Sequence, residues 1–104
     1  MSYMNIAEFP LVPIKDIDSE EMQGYAKFAT EKHNEITGDK LQFKRAINGL
    51  EQGRRLGQIL FTYVLEAVNS GGYVWTYQTV VFYNQRAALQ LIEFGPVLPE
   101  HIKN

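Results

Sequence analysis

The feature that most constrains the fold is a change of hydrophobic period at Gly38. Before it, apolar or small side chains recur with the three-to-four-residue spacing of one buried helix face: Met22, Tyr25, Ala26, Ala29, His33 and Ile36. After it, side chains alternate in the two-residue pattern of strands. A helix followed by antiparallel strands covers one face of their sheet. The sequence therefore predicts an α+β fold with one long helix across four or five antiparallel strands.

The helix is predicted over residues 19–37. Asp18 or Ser19 is the expected N-cap, and Asp18 with Glu21 three residues later outlines a capping box. Gly38 supplies the stop. Gly24 is unfavourable inside a helix, and a close approach of the helix to the sheet would explain it.

Strands are predicted at residues 41–47, 59–66, 73–81 and 88–94, with a short one around 13–15. Glycine-containing turns separate the first three at residues 52–57 and 69–72, and a weaker turn lies at 84–86. Residues 87–91 alone would also fit a helix. We predict one domain over residues 1–104, with a flexible arm at 1–9 and a tail at 98–104.

Composition narrows the possible partners. The chain of 104 residues has a formal net charge of -2, and its basic residues are scattered apart from Arg54-Arg55, which argues against nucleic-acid binding. No apolar run approaches the roughly 20 residues that span a bilayer, so no membrane partner is expected. The N-terminus lacks the blocks of a signal peptide, so the protein is expected to be cytoplasmic, or secreted with its signal removed.

No set of residues suggests catalysis or a cofactor. The absence of cysteine excludes a cysteine nucleophile and a cysteine metal site, and His33 and His101 form no credible pair. We therefore predict a non-enzyme with no cofactor and no metal. Tyr73, Trp75 and Tyr77 share one strand face, for which packing is the expected role and an exposed aromatic platform the alternative.

The helix segment resembles the plant cystatins (phytocystatins) of the cystatin/monellin superfamily. Their signature reads leucine, alanine, arginine, phenylalanine, alanine, valine, any residue, glutamate, histidine, asparagine. The matching positions here are Ala26, Lys27, Phe28, Ala29, His33 and Asn34, and the departures are Tyr25, Thr30 and Lys32. Residues 40–45 and 94–97 are similar to later segments of that family. The resemblance implies a cystatin-like fold over about residues 10–97.

Cystatins block papain-like cysteine proteases with a wedge made of an N-terminal arm and two hairpin loops. The resemblance therefore implies three protease-binding segments. They are the arm Phe9, Pro10, Leu11 and Val12, the first loop Gln52, Gly53, Arg54, Arg55, Leu56 and Gly57, and the second loop Asn84, Gln85 and Arg86.

All three segments differ from the cystatin motifs. The glycine pair of the arm is absent, the first loop is one residue longer with arginine in place of a central valine, and Asn84-Gln85 replaces proline-tryptophan. Loss of an apolar and an aromatic anchor costs about a thousandfold in affinity. The leading hypothesis is a cysteine-protease inhibitor with altered loops.

The alternative is a non-inhibitory or retargeted protein of this fold, such as an aspartic-protease inhibitor or an engineered scaffold. Arg54-Arg55 is either a soluble turn or a contact for an acidic target, because arginine forms bidentate bonds with carboxylates. Under both hypotheses the expected partner is a protein, and under the leading one it is a protease. We expect mostly monomer, with a domain-swapped dimer as the alternative if the first loop straightens.

Overall fold

A computed structural model describes residues 9–97. The elements in chain order are β1 (Leu11–Pro13), α1 (Glu20–Thr37), β2 (Gln42–Gly53), β3 (Ile59–Val68), β4 (Val74–Tyr83) and β5 (Gln90–Pro96), with a short 3₁₀ turn at Arg55–Gly57. Within these residues, no helix is long and apolar enough to cross a membrane.

The five strands form one antiparallel sheet in the order β1-β2-β3-β4-β5, with α1 packed on one face. Every neighbouring pair is antiparallel, and β2, β3 and β4 provide most of the pairing. The predicted α+β architecture, one long helix across a five-stranded antiparallel sheet, is confirmed.

Ser19 is the N-cap of α1. Its Oγ accepts a hydrogen bond from the Met22 backbone N–H at 3.1 Å, and Glu20 and Glu21 lie in the first turn, where acidic groups offset the helix dipole. The capping box outlined with Asp18 is therefore wrong: the Glu21 carboxylate accepts instead from the Tyr25 hydroxyl at 2.9 Å. Gly38 ends the helix in the left-handed conformation, as predicted.

The core lies between α1 and the face of the sheet on which the helix packs. Ala26, Ala29 and Thr30 are the buried helix residues, and Tyr63 and Leu65 are fully buried beneath the helix. Small helix side chains let the helix axis approach the sheet closely, while aromatic and leucine side chains fill the volume between them.

Two expectations for the helix are wrong. Ile36 is 68% exposed, because the last turn of α1 is not covered by the sheet. Gly24 is not a point of close approach, because it faces solvent and an added Cβ would meet no atom within 4 Å.

Two side-chain amides tie α1 to β2 and to Leu41, the residue before it. Gln23 donates from Nε2 to the Ala46 and Ile17 carbonyls at 3.1 and 2.8 Å, and its Oε1 accepts from the Ala46 N–H at 2.9 Å. Asn34 forms a reciprocal pair with the Leu41 backbone at 2.9 and 3.1 Å. Because β2 is bulged next to Ala46, the Gln23 amide satisfies backbone groups where the ladder is irregular.

Several strand boundaries differ from the prediction. β1 lies at Leu11–Pro13 and not at 13–15, and β2 continues to Gly53 because β1 and β3 flank it on both sides. β5 begins two residues late and includes Pro96, which an edge strand tolerates. The helical alternative for residues 87–91 is wrong. Of the predicted flexible segment at residues 1–9 only Phe9 is among the described residues, and the predicted tail at residues 98–104 lies outside them.

Candidate functional site

The register of the strands brings the three predicted segments to one end of the sheet. Gly53, at the end of β2, pairs with Ile59, which pairs with Tyr83 at the end of β4. The loops after β2 and after β4 therefore leave the sheet side by side. Leu11 pairs with Gln52, so the arm reaches the same end. We call this surface, residues 9–12, 52–57 and 84–86, the loop end.

The first loop is a short, closed hairpin. The Arg54 N–H donates to the Gln58 carbonyl at 2.7 Å, and the Gln58 N–H donates to Arg55 at 3.3 Å. Between them Leu56 has φ 63 and ψ 32, and Gly57 has φ 75. A left-handed backbone is easy for glycine but costs a leucine roughly 1–2 kcal/mol. Among the described residues, Leu56 is the only residue other than glycine with a positive φ.

Leu56 points into solvent at the tip of this hairpin. It is 84% exposed, the highest exposure of any large apolar residue in the part of the chain described. Neither burial nor backbone preference explains a leucine at this position. A strained, exposed apolar residue is a common property of binding loops.

The second loop is built on Asn84. Its Oδ1 accepts from the Arg86 N–H at 3.0 Å and its carbonyl accepts from the Ala87 N–H at 2.9 Å, which fixes a tight turn. Gln85 lies against the first loop, because a Cβ added at Gly57 would be 3.2 Å from its Nε2. The two loops border an open pocket of about 460 Å³, lined by Leu56, Gln58, Asn84, Gln85 and Arg86.

The arm runs along the edge of β2 as far as the first loop. The Gln52 Nε2 donates to the Phe9 carbonyl at 2.8 Å, and Phe9, Leu11 and Val12 are all exposed apolar residues. Pro10 shortens the strand pairing, since proline lacks an N–H and β1 begins only at Leu11. The structure thus brings all three predicted segments together.

The loop end is positively charged. Arg54, Arg55 and Arg86 are exposed, and within residues 9–97 none of them forms an ion pair. The ion pairs lie elsewhere, on α1 and between Arg45 and Glu66. Segments 52–57 and 84–86 contain no acidic residue. A surface of arginines around an apolar tip suits a partner with carboxylates around an apolar cleft.

The histidine and the aromatic strand lie at the far end of the sheet. His33 stacks on Phe94 with 4.3 Å between ring centroids, and its Nε2 is 2.8 Å from the Asp39 Oδ2, which agrees with a structural role. Tyr77 is buried, as the packing interpretation predicts, but Trp75 is 45% exposed and Tyr73 more so. No group of three or more potential metal ligands occurs in residues 9–97.

The model of the SQAPI family, described as aspartic acid proteinase inhibitor, matches residues 14–97. The chain belongs to the SQAPI family. The match covers most of the sequence and includes both loops of the loop end, whereas the arm at residues 9–12 precedes it. A search of curated proteins finds no match.

Membership of the SQAPI family corrects two expectations. The assignment to the plant cystatins is wrong, and so is the expectation of a cysteine-protease inhibitor, because the matching family inhibits aspartic proteinases. The alternative of an inhibitor retargeted to aspartic proteases agrees better with the match. SQAPI is a family of inhibitors, which is consistent with a non-enzyme and with a protease as partner.

The left-handed backbone of Leu56 is one feature of this SQAPI-family protein that the sequence pattern does not predict. The sequence located residues 52–57 as a turn, but the left-handed conformation of Leu56 depends on how β2 and β3 close the hairpin. The one available signal is the apolar residue itself, since a leucine between an arginine pair and a glycine is unusual for a solvated turn.

Proposed function

We propose that this protein inhibits pepsin-like aspartic proteases by inserting its loop end into the substrate cleft. The observation that carries the proposal is the exposed, left-handed Leu56 at the tip of the first loop, between arginines on both loops. Family membership supports the class of target.

Leu56 is the proposed anchor. An aspartic protease binds apolar substrate side chains in its cleft, and Leu56 presents almost its whole side chain to a partner. Burial of a leucine contributes roughly 1.5–3 kcal/mol, or about one to two decades in affinity. The pocket beside Leu56 would accept a side chain from the rim of the protease cleft.

The arginines are the proposed polar contacts. Aspartic proteases work with two carboxyl groups that share a proton, so their cleft is acidic. The guanidinium groups available at the loop end belong to Arg54, Arg55 and Arg86, and all three are exposed. Each can form paired hydrogen bonds with a carboxylate, which a lysine cannot reproduce.

Hydrogen bonds and strand pairing hold the loop end together without a partner. The first loop is closed by the Arg54–Gln58 hydrogen bond, the second by Asn84, and the arm by its pairing with β2. A preformed surface loses little conformational entropy on binding, and it blocks the cleft without a reaction. The earlier prediction of a mainly monomeric protein, with a swapped dimer as alternative, stays a prediction.

The test is titration of pepsin with the protein at pH 4, followed with a fluorogenic peptide. We expect stoichiometric or micromolar inhibition, weakened at least tenfold by Arg55→Ala. Lys44→Ala is the matched control, since it removes the same charge from an exposed site on β2 away from the loops. Papain measured in parallel should keep its full rate. Undiminished pepsin activity at micromolar protein would contradict the proposal.

A further inference from the structure

A second pocket lies at the opposite end of the sheet from the loop end. It has a volume of about 400 Å³, and its lining includes Trp75, Tyr77, Phe94, His33 and Asp39. Trp75 is near the start of β4 and the second loop follows its end, so roughly 25 Å of strand separates the two surfaces. We call it the distal pocket. Protease binding at the loop end makes no use of it.

Four of its eight lining residues carry aromatic rings. Tyr77 and Phe94 meet with their ring centroids 5.4 Å apart, and His33 stacks on Phe94. These contacts fix the rings of the pocket floor. Trp75 is different, because nearly half of this large side chain is exposed beside the pocket. Packing describes Tyr77, whereas the alternative expected from the sequence, an aromatic ring open to a ligand, fits Trp75.

The same pocket carries a carboxylate. Asp39 lies on its rim with Oδ2 2.8 Å from the His33 Nε2, and no lysine or arginine is among the lining residues. α1 ends beside it at Thr37, with no basic residue in its last turn to offset the negative end of the helix dipole. Burial first, and then the Asp39 charge, raise the pKa of Tyr77, so the carboxylate acts on the pocket floor as well.

Aromatic rings, a carboxylate and a helix C-terminus all favour a positive ligand. We propose that the distal pocket binds an alkylated ammonium group, with Trp75 as the principal ring and Asp39 as the counter-charge. Such a group combines an apolar surface for the rings with a diffuse charge for the carboxylate. It is found both in free quaternary amines and in methylated lysine side chains. An isolated site of this size should hold a small ammonium ion with millimolar affinity.

Trp75 is the only tryptophan in the chain, so its fluorescence reports on this pocket alone. The full-length protein is titrated with choline at pH 7.5 and constant ionic strength. We expect a saturable change in the emission of Trp75. The neutral isostere 3,3-dimethylbutan-1-ol has the same shape without the charge, and it should bind at least fivefold more weakly. Equal responses to the two compounds, or no saturation, would overturn the proposal.

Two variants test the role of the carboxylate. Asp39→Asn should weaken choline binding about three- to tenfold. Glu31→Gln removes the same charge from an exposed site on α1, six residues before the end of the helix, and should leave choline binding unchanged. Equal effects of the two substitutions would refute a specific counter-charge. A trimethyl-lysine peptide is titrated in the same way as choline. Tighter binding of the peptide would indicate a methylated lysine side chain as the preferred ligand, and tighter binding of choline would indicate a free quaternary amine.

Ammonium binding at the distal pocket and protease inhibition at the loop end can be tested independently of each other. Asp39→Asn and Trp75→Phe should both retain full inhibition of pepsin, because the loop end is remote from the distal pocket. Choline, likewise, should not relieve inhibition. Loss of inhibition in these variants with an unchanged fold would show that the two ends are not independent.

Discussion

At the residue scale, Leu56 combines a backbone cost with a proposed binding role, and substitution should separate the two. Leu56→Gly relieves the left-handed strain, so the free energy of unfolding should rise by up to about 1 kcal/mol. The same change removes the apolar anchor, so affinity for pepsin should fall about 10- to 100-fold. Urea unfolding and pepsin inhibition, measured on one preparation, test both effects.

Leu56→Ala is the control for this pair of effects. It removes the anchor but keeps a Cβ at a positive φ, so it should lose affinity without gaining stability. A glycine variant that inhibits as well as the original protein would exclude Leu56 as the anchor. A glycine variant that is markedly less stable would mean that the loop conformation is held by the leucine side chain itself.

Replacement by alanine should change the stability in opposite directions at two glycines, Gly24 and Gly49. Gly24→Ala should stabilise the protein by about 1 kcal/mol, because Gly24 lies within α1 and a Cβ there meets nothing within 4 Å. Gly49→Ala should destabilise it, because the new Cβ would lie 2.6 Å from the Thr62 carbonyl oxygen and 2.8 Å from the Ile14 Cδ1. Thermal unfolding of both variants should give shifts of opposite sign, about 4–8 °C upward for the first.

At the element scale, the Gln23 amide is the main polar tie between helix and sheet. Gln23→Leu keeps the side-chain size but leaves the N–H and C=O of Ala46 and the Ile17 carbonyl without this partner. At about 1 kcal/mol for each lost bond, the free energy of unfolding should fall by about 2–4 kcal/mol. Gln78→Leu, an exposed position on β4, is the matched control and should change stability by less than about 0.5 kcal/mol. Equal losses would contradict the bridging role.

The sequence predicts the helix and the strands themselves but not the contacts between distant elements, such as the bond from Gln23 to Ala46. The helix and the central hairpins follow from periodicity and turn residues, because both signals are local. The bulges of β2 and the partner of Gln23 are not local, since residue 23 meets residue 46 only after the helix has docked. The exposure of Ile36 has the same kind of cause, because periodicity indicates which helix face turns inward but not how far the sheet extends beneath it.

The residues behind the predicted function likewise fall into two groups, those of the scaffold and those of the loops. The residues that carried the resemblance to plant cystatins include Ala26 and Ala29, which are buried on α1, and Asn34, which ties α1 to the backbone just before β2. They specify a scaffold, so they predicted the fold correctly and the inhibitor family wrongly. The target class depends on the loops, where the sequence already departed from the cystatin motifs at Arg54 and at Asn84.

At the scale of the whole molecule, stability should fall at alkaline pH. Burial, and then the hydrogen bond to Glu21, raise the pKa of Tyr25 to about 12, and burial raises the pKa of Tyr63 further and that of Tyr77. The folded protein therefore holds these protons more tightly than the unfolded chain, whose tyrosines titrate near 10. Their contribution is complete below about pH 10 and is lost above it.

Urea unfolding between pH 8 and 12 measures this loss, with absorbance at 295 nm reporting tyrosinate. Tyr25→Phe should reduce the slope of stability against pH above pH 10, because one of the linked groups is removed. A stability that stays level to pH 12 would contradict the burial of these hydroxyls.

Charge is distributed unevenly over the molecule. The loop end carries Arg54, Arg55 and Arg86, whereas residues 20–39 hold five acidic residues against two lysines, Lys27 and Lys32. A net charge of -2 hides this separation. In the field of an acidic protease the loop end is attracted and the helix is repelled, so the molecule should approach in the orientation in which it inhibits.

Such steering makes the association rate depend on salt. Exposed charges are screened beyond about 10 Å at 0.1 M ionic strength, so raising the salt from 0.02 to 0.3 M should slow association with pepsin about tenfold. Dissociation should change much less, because contacts buried in the cleft are screened less. Arg54→Ala combined with Arg55→Ala should both slow association at low salt and flatten its salt dependence, whereas Lys44→Ala should do neither. Stopped-flow measurement of the rates decides this, and an association rate independent of salt would mean that apolar contact at Leu56, without electrostatic guidance, brings the two proteins together.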